Sequence, residues 1–290
     1  MVWVVRTAFV LSGGASLGAV QVGMLMALAE RGHAPDLLVG TSAGAVNAAY
    51  VAGHGTGKDS LEELASIWRG IRRKDVFRPS FRQQALAVLG RKPSLFSSQG
   101  LEDILVRHLP YVRLEDAQIP VHVVTTDIQS GAEVLLSSGA VVDAVLASTA
   151  IPGLHPAVER DGRFLVDGGL ADNAAISQAV GLGVDRLFVL PTGYSCALQE
   201  PPRTAVASAL QALSLLTQQR LVHDVAVYAD QVELHVLPPL CPLTVSPADF
   251  TQAAELITRA RRSALEWLDT GSDTLRHPER LLTIHHHRAQ

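Results

Sequence analysis

An α/β sheet covered by helices is the fold class this sequence predicts, and three observations predict it. Short β-branched apolar runs alternate with longer helical patterns, and the first two runs pass into helices through glycine-bearing turns. The 48% hydrophobic content over 290 residues is enough for one large core. The runs at 8–11, 37–40, 121–126, 133–136, 164–166, 186–190 and 231–236 predict strands. Helical patterns fill 18–31, 43–52, 59–69, 99–108, 140–148, 204–222 and 247–269. The expected organisation is one domain over 1–270 and then a polar tail at 271–290. That tail carries His285, His286 and His287 and reads as frayed and non-catalytic.

The formal charge of −4 gives no global pull toward nucleic acid or an anionic bilayer, so no nucleic-acid partner is expected and any membrane contact must be local. Two cysteines, Cys196 and Cys241, are too few for a disulfide framework and form no Cys-x-x-Cys metal pair. The apolar N-terminal run carries Arg6 and lacks a small-residue cleavage site, so it reads as a strand rather than a signal peptide. With no apolar run of spanning length, the expected location is the cytoplasm, with peripheral membrane contact at most.

One segment breaks the alternation. Residues 72–98 mix Arg72, Arg73, Lys74, Arg78, Arg82, Arg91 and Lys92 with Val76, Phe77, Phe81, Leu86, Leu89 and Phe96. Such a mixture suits a lid or an interfacial segment, and equally a solvated helical insertion with an ordinary core face.

The sharpest local signal is Gly40-Thr41-Ser42-Ala43-Gly44, set between an apolar strand pattern and a helical one. In such an elbow the serine stands on a tight turn, and the flanking glycines let neighbouring backbone pass close by. The following helix offers unpaired amides and its dipole to negative charge near a reacting carbonyl. Gly14-Ala15-Ser16-Leu17-Gly18 fits the same pattern, so Ser16 competes with Ser42. Ser16, however, follows the extra bend Ser12-Gly13-Gly14, whose consecutive N–H groups suit an anion site better than a nucleophile. The stretch from Gly13 to Gly18 is therefore expected to supply the oxyanion site. It lacks the G-x-G-x-x-G spacing and the lysine of a nucleotide loop.

A serine hydroxyl needs a base. A triad could draw on Asp127 or Asp185 with His223 or His235, but His223 falls in a helical pattern and His235 in a strand pattern. Asp167-Gly168-Gly169 offers a carboxylate at a strand end, followed by two glycines that permit a sharp turn. An Asp with a pKa of about 3.9 is a weak base, so it must gain from placement and desolvation.

Three elements in this order resemble the patatin-like phospholipase family: Leu11 to Leu25, Gly40 to Gly44, and Asp167 to Gly169. The stretch Ala147 to Gly153, and Asp172-Asn173, are similar to the family's residues on either side of that aspartate. The resemblance implies a three-layer α/β/α sandwich with a mostly parallel sheet, a Ser42–Asp167 dyad, and backbone amides of Gly13, Gly14 and Ala15 around an oxyanion. It also implies lipid or acyl-ester substrates cleaved through an acyl-serine, with no cofactor and no metal. The chain departs from the family pattern at two places, the glycine-rich loop and the segment after Asn173. Ala15 replaces the loop's usual third glycine, and Leu17 replaces its usual Arg or Lys, which points toward a more neutral ester. The segment after Asn173, Ala174-Ala175-Ile176, lacks the proline many members carry. An acyltransferase sharing the acyl-serine, and a lipid-binding module without turnover, are the alternative functions.

Overall fold

The structure is a computed structural model that describes residues 5–78, 93–193, 205–271 and 278–282, with residues 89, 91 and 201 besides. Its strands are β1 (Thr7–Leu11), β2 (Leu37–Thr41), β3 (Val121–Asp127), β4 (Glu133–Leu136), β5 (Val158–Arg160), β6 (Arg163–Asp167), β7 (Arg186–Leu190) and β8 (Glu233–Val236). The helices are α1 (Gly18–Glu30), α2 (Ala43–His54), α3 (Lys58–Gly70), α4 (Arg73–Val76), α5 (Gln99–His108), α6 (Val141–Ser148), α7 (Ile176–Gly181), α8 (Ala205–Tyr228) and α9 (Ala253–Asp269).

One mixed sheet runs β5-β6-β3-β2-β1-β7-β8, with β4 also on β3. Strands β3, β2, β1, β7 and β8 are parallel; β4 and β6 pair with β3, and β5 with β6, antiparallel. Because strand side chains alternate between faces, β1 sends Phe9 and Leu11 into one core and Ala8 and Val10 into the other. The first core is closed by α1, α2, α3, α5, α6 and α9, and the second by α7, α8 and Leu282, giving three layers. Eleven of the thirteen residues of α1 are buried, since it lies among α2, α3 and α9. A helix apolar all round belongs in that position.

The sheet's register fixes where the chemistry sits. On β3, Val123 and Val124 pair with Gly40 and Thr41 of β2, while Thr125 and Thr126 pair with Asp167 and Val166 of β6. Strand β4 pairs with all four of these residues, so it holds one edge of β3. Strands β2 and β6 must then share the other edge, meeting end to end between Val124 and Thr125. Their carboxyl ends, Thr41 and Asp167, face each other there.

The expected elements differ from the observed ones at several places, among them the short helix α4, which was not expected. Strand β5 was not expected; it joins β6 through Asp161 (φ 50°) and Gly162 (φ 74°), two positive-φ residues of the kind that a two-residue hairpin turn requires. Helix α7 was also not expected. The helix expected from 247 begins only at Ala253, because Asp249 accepts from Thr251 N–H and Thr251 Oγ1 and its own N–H bonds the Ser246 carbonyl. Helix α8 runs on to Tyr228. Within 72–98, Phe77 packs edge-on to Phe96 and Phe250, whereas Phe81, Arg82, Leu86 and Lys92 lie outside the described residues, as do Cys196 and His285 to His287.

A buried polar chain crosses the first core. Trp68 Nε1 donates to Asn47 Oδ1 at 2.8 Å, and Asn47 Nδ2 donates to Gln21 Oε1 and the Gly18 carbonyl, each at 2.9 Å. Gln21 Nε2 then donates to the carbonyls of Ser12 and Leu190. Gln21 and Asn47 are fully buried, so every bond in the chain replaces one to water. Replacing Asn47 by Ala strands Trp68 Nε1, Gln21 Oε1 and a carbonyl. Urea unfolding is expected to register a loss of about 3 kcal/mol.

Candidate active site

Ser42 lies between β2 and α2 with φ 53° and ψ −122°, a conformation few non-glycine residues adopt. Strain of this kind costs about 1–3 kcal/mol and persists only when its surroundings over-determine it. Here they do. Ser42 N–H donates to Ser148 Oγ at 2.8 Å, and Ser148 Oγ donates to the Val124 carbonyl at 2.6 Å, so the elbow is pinned to the last β3 residue paired with β2. Gly44 lies so close to β1 that a Cβ there would stand 2.1 Å from the Leu11 carbonyl oxygen. Gly40 flanks the elbow on its other side, as the last but one residue of β2.

The turn points the serine hydroxyl at Asp167. Ser42 Oγ donates to Asp167 Oδ2 at 2.6 Å, and Gly169 N–H donates to Oδ1 at 2.8 Å. Gly168 and Gly169 carry the chain away in a 3-10 turn that Asp167 caps. Burial pushes the Asp167 carboxyl up to about 6 from an ordinary 3.8, against the bonds from Ser42 and Gly169 that lower it. An acid so tuned is ionised at neutral pH yet a much better proton acceptor than a solvated carboxylate.

The glycine-rich loop approaches from β1. A Cβ on Gly13 would lie 3.0 Å from Ser42 Cβ, and one on Gly14 would strike Thr192 Oγ1 at 2.1 Å, so this backbone packs against both neighbours. Of the three amides expected to face an oxyanion, Gly13 is a correction: its N–H donates at 3.2 Å to both the carbonyl and Oδ1 of Asn173. The N–H groups of Gly14 and Ala15 have no acceptor among the described residues, nor do those of Ala43 and Gly44 at the start of α2. Ala15 takes φ 50°, the left-handed value that favours the glycine it replaces. Gly18 begins α1, and Leu17 is buried in the first core.

The rival groups are elsewhere. Ser16 Oγ donates to the Ser246 carbonyl and its N–H to Pro247, away from Asp167. His223 is exposed on α8, and His235 on β8 stacks on Phe188 and bonds Glu233. Asp127 caps its own turn and Asp185 accepts from Arg6 N–H. Ser148, Asn173 and Thr192 are the site residues whose roles sequence reasoning missed. The first two lie in stretches singled out beside Asp167, but nothing local states their partners, and Thr192 carries no signal. Among the described residues no group of three His, Cys, Asp or Glu side chains could hold a metal ion.

Two clefts meet at Ser42, Ala15 and Ile151. One, of about 810 Å³ counting space open to solvent, is walled almost wholly by carbon, with Leu64, Ile71, Phe77 and Phe250 among its residues. The other, about 800 Å³, carries Asp167, Asn173, Thr192, Ser214 and Thr217.

The family model described as patatin-like phospholipase matches residues 9–180. The chain belongs to the patatin-like phospholipase family. The matched span holds the glycine loop, the elbow and Asp167, and leaves α8, β8 and α9 beyond it. A lysophospholipase nte1 of Aspergillus terreus is 31% identical over 191 residues, 63% of this chain and 12% of that protein. An uncharacterised NTE family protein of Mycobacterium bovis is 30% identical over 180 residues, 62% of this chain and 47% of that protein. A patatin-like phospholipase domain-containing protein 7 of Mus musculus is 30% identical over 190 residues, 64% of this chain and 13% of that protein. The matches therefore span less than half the length of each of these relatives.

The raised Asp167 carboxyl has a thermodynamic signature. Between about pH 4 and 6 the folded chain holds a proton that the unfolded chain has released, so this group's contribution to stability falls as pH rises through that window, by up to about 3 kcal/mol. Asp167→Asn, which keeps no charge to bury, is expected to unfold at higher urea than the parent at pH 7.5. That advantage should vanish near pH 4.

Proposed function

We propose that this chain hydrolyses acyl esters of lipids through an acyl-serine formed at Ser42, with Asp167 as the group that takes and returns the proton. The observation that carries this reading is the 2.6 Å bond from Ser42 Oγ to the buried Asp167 Oδ2, made where an apolar cleft and a more polar one join. A lysophospholipase among its relatives agrees with it.

In the first half-reaction Ser42 Oγ attacks the ester carbonyl carbon as its proton passes to Asp167 Oδ2. The oxyanion meets the N–H groups of Gly14 and Ala15 and the positive end of α2, all present before the charge develops. Collapse breaks the bond to the alcohol oxygen, which takes the proton from Asp167 and leaves. Water then attacks the acyl-serine while Asp167 takes its proton. The second collapse releases the acid, and Ser42 Oγ recovers the proton. No step uses a metal or cofactor. The apolar cleft suits the acyl chain and the hydroxyl-lined cleft suits the alcohol part.

Leu17, buried where the family usually has a cation, favours a neutral alcohol part over an anionic one. Residues 1–270 are read as one catalytic domain and 271–290 as a tail outside it. The proposed location is the cytoplasm, with the substrate met at a membrane or lipid surface. No described helix is long and apolar enough to cross a membrane.

The test is hydrolysis of p-nitrophenyl esters of graded chain length with EDTA present. Ser42→Ala and Asp167→Asn are each expected to lose about 10³-fold or more in kcat, and Ser16→Ala to stay within a few-fold of the parent. The parent's kcat/KM should fall on the acid side of about pH 6 as Asp167 takes up its proton. A Ser42→Ala enzyme that still turns over overturns the assignment. A folded parent inert on esters and on lysophospholipid favours a lipid-binding module instead.

A further inference from the structure

The peptide between Gly13 and Gly14 is the part of the oxyanion site that its own residues hold least. Turning a peptide plane over changes ψ of the residue before it and φ of the residue after it, and glycine on both sides removes the Cβ contacts that resist such a turn. The two orientations have opposite effects, because a trans peptide points its N–H and its carbonyl in opposite directions. In one, the Gly14 N–H faces a developing oxyanion; in the other, the Gly13 carbonyl stands in its place and repels the charge. Whatever holds that carbonyl therefore chooses between an oxyanion site and its inverse.

Thr192 is in position to do so. It lies two residues beyond β7, buried beside the polar cleft that also contains Ser42, Asp167 and Gly14. Its Oγ1 donates to the Gly13 carbonyl. A carbonyl only accepts, so the one proton of this hydroxyl is committed there. Ser12 Oγ accepts from the Thr192 N–H at 3.0 Å and lies 3.3 Å from Thr192 Oγ1. With the Thr192 proton already given to Gly13, Ser12 must be the donor of the hydroxyl pair, which leaves the Thr192 hydroxyl a single direction. Ser12 N–H also bonds the Leu190 carbonyl, so the glycine loop and Thr192 leave the sheet side by side. A second donor, Asn173 Nδ2, reaches the same carbonyl only at 3.4 Å, longer than an ordinary bond of this kind. With its carbonyl partner turned toward Thr192, the Gly14 N–H points the other way, and it has no acceptor among the described residues.

We propose that Thr192 is a positioning residue, whose hydroxyl locks the Gly13–Gly14 peptide in the orientation that offers the Gly14 N–H to the oxyanion. The inference rests on the acyl-ester reading of the site and deepens it, naming the group that keeps the oxyanion site formed. Thr192 acts through the loop, so its loss removes transition-state stabilisation and leaves binding of the ester in place.

The experiment measures kcat and KM on p-nitrophenyl decanoate, and inhibition by a decyl trifluoromethyl ketone and by decanol, for the parent, Thr192→Val and Thr192→Ser. Ser42 Oγ adds to the ketone carbon as Asp167 takes its proton, and the hemiketal oxyanion that forms has no leaving group to expel. Decanol forms no oxyanion. Thr192→Val, which keeps the shape and removes the donor, is expected to lower kcat about 10–100-fold with KM within about threefold, and to weaken the ketone by the same factor as kcat. Decanol should bind both alike, and Thr192→Ser should recover most of the loss. A Thr192→Val enzyme with the parent's kcat, a loss confined to KM, an unchanged ketone affinity, or a Thr192→Ser enzyme as slow as Thr192→Val overturns the proposal. If Thr192→Val does not fold, Thr192→Cys, close in shape and a weak donor, is measured against the same expectations. Turnover by the parent tests the hydrolase reading separately, and if the parent cleaves no ester that reading fails. The Thr192 proposal is then decided by the ketone alone: tighter binding by the parent than by both Thr192→Val and Ser42→Ala supports it, and equal binding by the parent and either variant overturns it.

Discussion

Strands β2 and β6 run toward each other along one edge of β3, and most of the site follows from that collision. Neither chain can continue, so both must leave the sheet between Val124 and Thr125. β2 escapes by forcing Ser42 into a left-handed conformation and starting α2; β6 escapes through the glycine turn after Asp167. The two side chains at this junction are thus neighbours through sheet register, although 125 residues separate them in the chain. A parallel β6, or a β2 one residue longer, would not bring them together.

The collision leaves open backbone ends, and the structure closes them with polar groups from elsewhere. Ser148 takes the Ser42 N–H and returns a bond to Val124; Thr126 Oγ1 donates to the Asp167 carbonyl; Asn173 holds Gly13. The chain from Trp68 through Asn47 and Gln21 holds both ends of the glycine loop, at the carbonyls of Ser12 and Gly18. These bonds are individually modest, but they share buried atoms, so the loss of one leaves others unsatisfied. That mutual dependence keeps a strained elbow and a desolvated carboxylate in a single arrangement.

How much of this was legible in the sequence depended on range. The elbow at Gly40 to Gly44 and the turn at Asp167 to Gly169 were readable because glycine spacing and strand-ending patterns are local. The Asp161-Gly162 hairpin was also local, but Arg160, Arg163 and Phe164 around it give weak alternation, and β5 was missed with it. Partner choice was not readable. Whether Gly13 or Gly14 offers its amide depends on Asn173, some 160 residues away, and Ser16 is removed from contention by the carbonyls of Ser246 and Pro247.

With no histidine between Ser42 and Asp167, the proposed step takes a different electrostatic course from that of a histidine-based triad. With an imidazole as base, attack creates a cation and an anion from two neutral partners, and the pocket must stabilise that separation. Here the carboxylate loses its negative charge as the oxyanion gains one, so the local net charge is constant throughout the proposed step. The event is a charge displacement of a few ångströms toward the amides of the loop and of α2. Surrounding dipoles then need little rearrangement, which suits an interior that is mostly carbon and has few mobile polar groups to respond.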